Sequence, residues 1–459
     1  MEKRILILGA GEVGANLALS LSRNRDIMVT VVDRNKALCA DLAEKADVAT
    51  VAGDVLRPSV LERAGAHEME TVIAVTDNEA VNLVACRLAR AIFHTPTTVA
   101  RLETDELLEF ADELFGRDGA GIVDLAISPE REVVQAIMRL VMTPGAFEVQ
   151  YLADGLLALI GVRLNVGAYI LGHALRDLPA LLGELPFTVV AVFRGAEIEM
   201  PTGRTVLQDD DEVYFICPVD QLPRAMGLMG KPEHAARSVL IAGGGQVGAK
   251  LAQQCREQGV RVTLVELDEE RARAILDASE EDFTVVMGSV LDEKLLAEEA
   301  HGKDLFISVT DRDEINIFSA LLGKRSGIRK TVALVNNATY MHLARQMGVD
   351  VPLSPRLITV SQILLLMREG LIAASVTLRE RAELLEGVIS SGSSLEGVNI
   401  AALPVPKGTV VGGIVRAGIS IPVTGATTLQ ADDHLLIVTS TKNVAKVTEL
   451  FRLEGGDLW

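Results

Sequence analysis

The sequence predicts an α/β protein of two tandem modules, each a parallel-sheet domain followed by a small α+β subdomain. Three observations carry that expectation: a glycine-rich turn between an apolar strand and a helix, an acidic residue closing the next strand, and the return of both in the second half of the chain. The turn is Gly9-Ala10-Gly11-Glu12-Val13-Gly14, preceded by the apolar run Arg4 to Leu8 and followed by apolar residues at helical spacing from Val13 to Leu21. In a Rossmann-like fold the first glycine permits the tight turn and the second lets the backbone approach a pyrophosphate. The third lets helix and strand pack closely, and the phosphates sit on the helix N-terminus. The next run, Ile27 to Val32, ends in Asp33, where a carboxylate can hydrogen-bond ribose hydroxyls and repels the 2′-phosphate of NADP. NAD+ or NADH is therefore the expected cofactor, and ATP or ADP would suit the same carboxylate.

The second turn is Gly243-Gly244-Gly245-Gln246-Val247-Gly248, after Val239 to Ala242, and Val262 to Val265 then leads into Glu266. From Gly9 to Gly243 the offset is 234 residues, and it also carries Val75-Thr76-Asp77 and Asn82 onto Val309-Thr310-Asp311 and Asn316. It falls to 226 between Ser128-Pro129 and Ser354-Pro355, and to 222 between the stretches Thr202 to Asp211 and Thr424 to Asp433. Intact units with a drifting offset indicate a tandem duplication whose second copy has lost loop residues.

In chain order, residues 1–128 alternate strand and helix in the manner of a doubly covered parallel sheet. Helices are expected over Asn35 to Lys45, Arg57 to Ala64, Glu79 to Ile92 and Asp105 to Leu114. Strands are expected over Val48 to Ala52, Thr71 to Val75, Thr97 to Arg101 and Gly121 to Ile127. Residues 129–218 open with Pro129 and an amphipathic helix, Glu130 to Met142, then become short strands and turns, too small for a substrate domain with a deep cleft. The cluster Asp209-Asp210-Asp211 is expected as a solvated turn. Residues 219–236, rich in proline and glycine, are expected to join the halves. The plan then repeats as 237–354, an apolar helix from Arg356 to Leu371, a β-rich subdomain to residue 440 and a helical tail over 441–459.

At 459 residues the chain can bury several cores, and its 49% hydrophobic and 23% charged residues suit globular α/β domains. The net charge of −19 excludes nucleic acid as a main partner, since phosphates would be repelled, and directs any membrane contact through a protein. Cys39, Cys86, Cys217 and Cys255 lie far apart with no metal-ligand spacing, so they are expected to be buried small residues, with no metal site. The strongest candidate for a membrane span, Ile363 to Ser375, is broken by Arg368 and Glu369, so no membrane span is expected.

Ligands in such a fold lie over the carboxyl ends of the strands, which points at Asp54, at the stretch Thr76-Asp77-Asn78-Glu79 and at Arg101 as further parts of the candidate site. Arg101 could meet a phosphate bidentately. The alternative for Thr76 and Asn78 is that they cap the next helix. An oxidoreductase is the rival reading, because the fold does not dictate chemistry. Against it, Tyr151, Tyr169, Tyr214 and Tyr340 lack a lysine four residues on, and the histidines, His67 and His301 among them, sit singly. No catalytic residue is expected.

Gly9 to Gly14 with Val31-Val32-Asp33, Ala52-Gly53-Asp54, Val75-Thr76-Asp77 with Asn82, and the ending Thr205 to Asp211 together resemble the RCK/KTN modules, cytosolic regulators of potassium conductance. The resemblance covers essentially the whole chain. It implies a regulator that binds nucleotides between neighbouring modules and assembles as a homo-oligomeric ring, expected as a tetramer. It also implies that the ring docks on the cytoplasmic face of a membrane-embedded potassium-translocating subunit. The second copy departs from the first at Glu266, at Ser289 in place of Asp54 and at Leu334 in place of Arg101. The apolar helices at 130–142 and 356–371 are candidates for assembly contacts or for core packing between subdomains.

Overall fold

Short β-branched runs alternating with helices build, in each module, a six-stranded parallel sheet. In the first, β1 (Lys3–Leu8), β2 (Ile27–Asp33), β3 (Ala49–Ala52), β4 (Thr71–Ala74), β5 (Thr97–Arg101) and β6 (Leu125–Ile127) lie in the order β3-β2-β1-β4-β5-β6. The computed structural model describes residues 3–451 except 23–26, 104–106, 108–120, 122, 184, 196, 279–282, 368–371 and 380. The helix expected over Asp105 to Leu114 therefore lies, apart from Leu107, outside the described residues. Strand β6 is shorter than the expected Gly121 to Ile127. The helices Glu12–Leu21, Lys36–Lys45, Pro58–Arg63 and Glu79–Phe93 bury apolar positions such as Leu17, Leu42, Leu61 and Ala85.

The chain continues into β7 (Glu148–Leu152), β8 (Leu157–Arg163), β9 (Thr188–Arg194), β10 (Glu197–Glu199) and β11 (Glu212–Pro218), an antiparallel sheet ordered β10-β9-β11-β8-β7. The second module repeats both sheets. Strands β12 (Ser238–Ala242), β13 (Arg261–Glu266), β14 (Thr284–Met287), β15 (Leu305–Ser308), β16 (Lys330–Leu334) and β17 (Val351–Leu353) form the parallel one, ordered β14-β13-β12-β15-β16-β17. Strands β18 (Ile372–Leu378), β19 (Ala382–Val388), β20 (Thr409–Arg416), β21 (Ile419–Ile421) and β22 (His434–Ser440) form the antiparallel one.

By packing, the chain divides into two units, Met1–Val134 with Ser354–Leu364, and Gln135–Leu353 with Leu365–Trp459. None of the three cuts, after Val134, Leu353 and Leu364, falls between the two modules. In the first unit, the start of the second crossover helix, Pro355–Met367, lies with the first parallel sheet, and Gln362 Nε2 donates to Glu132 Oε2 at 3.2 Å. In the second unit, the latter part of the first crossover helix, Pro129–Met142, lies with the second parallel sheet, and Cys255 Sγ approaches Met138 Sδ at 3.6 Å. Val133, Val134, Ile137 and Val141 are buried, so this helix packs into the core of its own chain.

Within the second unit the two small sheets share a core of Leu152, Leu157, Tyr214 and Ile216 with Leu384, Val415, Leu436 and Val438. Glycine makes the approach possible: a Cβ at Gly412 would lie 2.5 Å from Ile216 Cδ1, and one at Gly413 2.8 Å from Leu157 Cδ1. Arg379 pairs with the buried Glu212 and lies over the rings of Phe147 and Phe193 at 5.8 and 5.7 Å.

Residues 219–236 hold the helix Leu222–Leu228: Pro223 sits in its first turn, where a missing N–H costs nothing, and Leu222, Ala225, Met226 and Met229 are buried. One expectation is corrected here: the acidic cluster is not wholly solvated. Asp211 is buried, accepting from Arg194 Nε at 3.0 Å and Gln208 N at 2.9 Å, and Asp433 does the same with Arg416 Nε at 2.7 Å and Gln430 N at 2.8 Å. A guanidinium from the neighbouring strand compensates the buried carboxylate. The tail begins as the helix Val444–Leu450, whose Val447 joins the second small core together with Phe451. All four cysteines are free and buried, and burial pushes the thiols of Cys86, Cys217 and Cys255 up to about 12.

Candidate functional site

The glycines of each turn divide by what surrounds them. Gly9 has φ +111°, and a Cβ there would stand 3.1 Å from the backbone of Val75 and Thr76. A Cβ on Gly14 would lie 1.9 Å from Gly9 O, and the same distance separates a Cβ on Gly248 from Gly243 O. These positions need glycine for the fold itself. Gly11 and Gly245 do not: a Cβ on either meets nothing within 4 Å. They are also the residues before the helices Glu12–Leu21 and Gln246–Glu257, and neither helix start is closed by a side-chain acceptor. An anion can therefore come down on uncapped N–H groups with no side chain in its path, the arrangement that holds a nucleotide phosphate.

The acid of the first site stands at the end of β2, beside that approach. Asp33 Oδ2 accepts from Ala10 N at 2.7 Å and Oδ1 from Asn35 N at 2.7 Å, which fixes the carboxylate while it stays half-buried, with lone pairs left for ribose hydroxyls. In the second site Glu266 Oε2 accepts from Gly244 N at 2.6 Å and Oε1 from Asp268 N at 2.8 Å, but this acid is buried and Arg271 Nη1 lies 3.6 Å away. The longer side chain needs room. A Cβ on Gly244 would lie 2.9 Å from Glu266 Oε2 and 2.5 Å from Ile275 Cδ1, so the pair Gly244 and Glu266 replaces the pair Ala10 and Asp33.

Between β1 and β4, where the strand order reverses, the buried Asn82 ties the strand ends together. Its Oδ1 accepts from Thr76 N at 2.9 Å and Thr76 Oγ1 at 2.7 Å, and its Nδ2 donates to Thr76 O at 3.2 Å and Arg101 O at 2.9 Å. Asn316 repeats this with Thr310 and Leu334 O. The Thr76 hydroxyl proton is thus engaged in holding the crevice wall, and Asn78 caps the next helix by accepting from Val81 N at 3.0 Å. Asp54 accepts from Leu56 N at 3.0 Å in the turn that leads to the helix Pro58–Arg63, as Ser289 accepts from Leu291 N at 3.2 Å in the second module. Asp77 is exposed at the mouth.

Arg101 is turned to protein carboxylates, with Nη2 at 3.0 Å from Glu103 Oε1 and 4.0 Å from Glu130 Oε1, while its buried Nε has no partner among the described residues. Glu79, the last of the polar residues after β4, accepts from Glu103 N at 2.9 Å, and Asp313, 234 residues further on, accepts from Asn336 N at 2.9 Å and Asn337 N at 2.8 Å, closing the loop after β5 and β16. One feature escaped the sequence reading: Arg356, which pairs with Glu12 from the second crossover helix and has no signal in local sequence.

The described residues contain no cluster of three or more His, Cys, Asp or Glu able to hold a metal ion. The TrkA-N domain model matches residues 5–129 and 239–355, and the TrkA-C domain model matches 159–230 and 384–452. The chain is 35% identical to the Trk system potassium uptake protein TrkA of Vibrio alginolyticus over 98% of both chains. It is 33% identical to the protein of that name from Haemophilus influenzae, again over 98% of each, and 31% identical to a TrkA homolog of Archaeoglobus fulgidus, covering 98% of this chain and all of that one. Among solved structures, the GsuK channel bound to NAD has the same fold over 98% of this chain and 79% of its own, with a TM-score of 0.61 at 18% identity.

Proposed function

Because the chain belongs to the family of Trk system potassium uptake proteins TrkA, we propose that it is the nucleotide-binding regulatory subunit of a potassium uptake system. NAD+ or NADH, or ATP or ADP, is held over the carboxyl ends of the strands. The ligand contacts are drawn from Gly9, Ala10, Gly11, Glu12, Val13, Gly14 and Asp33 in the first site and from Gly243, Gly244, Gly245, Gln246, Val247, Gly248 and Glu266 in the second. The observation that carries this reading is the empty approach above Gly11 beside the fixed carboxylate of Asp33. Asp54, Thr76 and Arg101 act behind it, shaping the crevice wall, with Asp77 at its mouth.

A ligand shifts such a protein only through different affinities for its states. Coupling of this kind is typically about 1–3 kcal/mol per site. The chain assembles as a ring, a tetramer in this reading, on the cytoplasmic face of a membrane-embedded Trk subunit that carries the potassium. No described helix is long and apolar enough to cross a membrane, which agrees with attachment through that partner. The protein is a regulator and not an enzyme. Equilibrium titration of the purified chain with NADH, with ATP and ADP as competitors, tests this: one or two nucleotides should bind per chain with no consumption. Steady NADH oxidation in the presence of a metabolite would establish the oxidoreductase instead.

A further inference from the structure

Arg356 is the second residue of the helix Pro355–Met367, in the second module, yet its guanidinium pairs with Glu12, the first residue of the phosphate-loop helix Glu12–Leu21. Both belong to the same packed unit, Met1–Val134 with Ser354–Leu364. The sequence offers no matching pair at the second turn: Gln246 stands where Glu12 stands, and Glu130 stands where Arg356 stands, by the offset that relates Ser128-Pro129 to Ser354-Pro355. This arrangement of charge is specific to the first site.

The Arg356 side chain is 26% exposed against 62% for Glu12, so the cation is the more desolvated partner and depends on an anion beside it. That anion now comes from a carboxylate on the first turn of a helix, where negative charge is favoured. It is also where the open approach above Gly11 admits a phosphate. Two anions then compete for one helix N-terminus and one guanidinium, and a pyrophosphate carries more charge than Glu12 and matches the planar fork of arginine.

Resting on the nucleotide-binding reading above, we propose that Arg356 is a phosphate-binding residue of the first site, supplied by the second module and held by Glu12 until a nucleotide phosphate displaces that carboxylate. Binding at the first site thereby acts on the helix that precedes β18 and the second small subdomain.

The test uses the full chain carrying Gly245→Asp, whose side chain enters the open approach at the second turn and leaves the first site to report. Adenosine, ADP and NADH are titrated at equilibrium. Arg356→Ala should weaken ADP and NADH about 10- to 100-fold, the worth of a hydrogen bond between charged groups, and leave adenosine within about twofold. Glu12→Gln, which keeps Arg356 and removes its competitor, should tighten ADP several-fold, and it can be read even if Arg356→Ala does not fold. Equal losses for adenosine and ADP in Arg356→Ala would mark a structural role and overturn the proposal. So would unchanged ADP binding, or weaker ADP binding in Glu12→Gln. A Gly245→Asp parent that binds none of the three ligands would instead overturn the nucleotide-binding reading itself.

Discussion

The two parallel-sheet domains share strand order, the glycine turn, the asparagine clamp and the acid at the second strand, yet they treat that acid in opposite ways. Asp33 is half-buried beside an alanine, and its carboxylate faces the approach to the turn. Glu266 is buried, approached by Arg271, and takes the space that a methyl group on residue 244 would need. One added methylene thus changes a half-buried acid beside the turn into a buried one that props the loop. Polar strand ends differ too: Arg101 with its carboxylate partners stands where the second copy has Leu334. Duplication has kept the scaffold, while the groups that would recognise a ligand have diverged.

Substitutions at the glycines break the comparison most severely. Gly14→Ala and Gly248→Ala should each cost about 3 kcal/mol or more, because the new Cβ meets a carbonyl oxygen in a turn that cannot yield. Gly11→Ala and Gly245→Ala should stay within about 0.5 kcal/mol of the parent while weakening nucleotide binding. Thermal unfolding beside ligand titration separates the two classes. Equal destabilisation at all four positions would remove the distinction between fold glycines and ligand glycines.

The acids come next. Asp33→Ala should lower first-site nucleotide affinity about 10- to 100-fold in a chain that still folds. Glu266→Ala should mainly cost stability, about 1–3 kcal/mol, by leaving Gly244 N and Asp268 N without their acceptor. If Glu266→Ala abolishes second-site binding at unchanged stability, the contrast between the acids is wrong.

A smaller effect sharpens the pairing of acid with loop residue. Gly244→Ala should cost about 1–2 kcal/mol, and adding Glu266→Asp should recover part of that loss through a coupling of about 1 kcal/mol. Strict additivity in the double-mutant cycle would show that the two positions are independent.

A pH-dependent difference concerns the opposite end of the sheet. Where β5 starts with the exposed Thr97, β16 starts with the buried Lys330, whose Nζ donates to Ala146 O, with Asp350 and Lys231 as its charged neighbours. Burial lowers the Lys330 pKa from 10.5 to about 7. The unfolded chain then binds more protons than the folded one between those values, so Lys330 makes stability rise with pH from about 7 towards 10.5. Lys330→Met should flatten that rise, read as the thermal midpoint across this window.

Local sequence determined the elements. Glycine spacing and β-branched runs located both turns, the strands of the first parallel sheet and the first two of the second, because backbone conformation and periodicity are properties of a few adjacent residues. The duplication was equally legible, since repeated units keep their order when loops shorten. One local reading failed where burial was at issue: Asp211 looked solvated because the guanidinium that neutralises it, Arg194, is 17 residues away.

What the tertiary structure alone decided is which groups meet. It placed Asn82 across two strand ends, spent the Thr76 hydroxyl on that clamp and gave Arg101 to Glu103. It brought Arg356 of one module to Glu12 of the other, across 344 residues of chain, because the packed units cut across the duplication. The physical reason is that side-chain hydrogen bonds and ion pairs depend on positions in space set by the packing of the whole chain. The turns and periods that specify each element are set by neighbours.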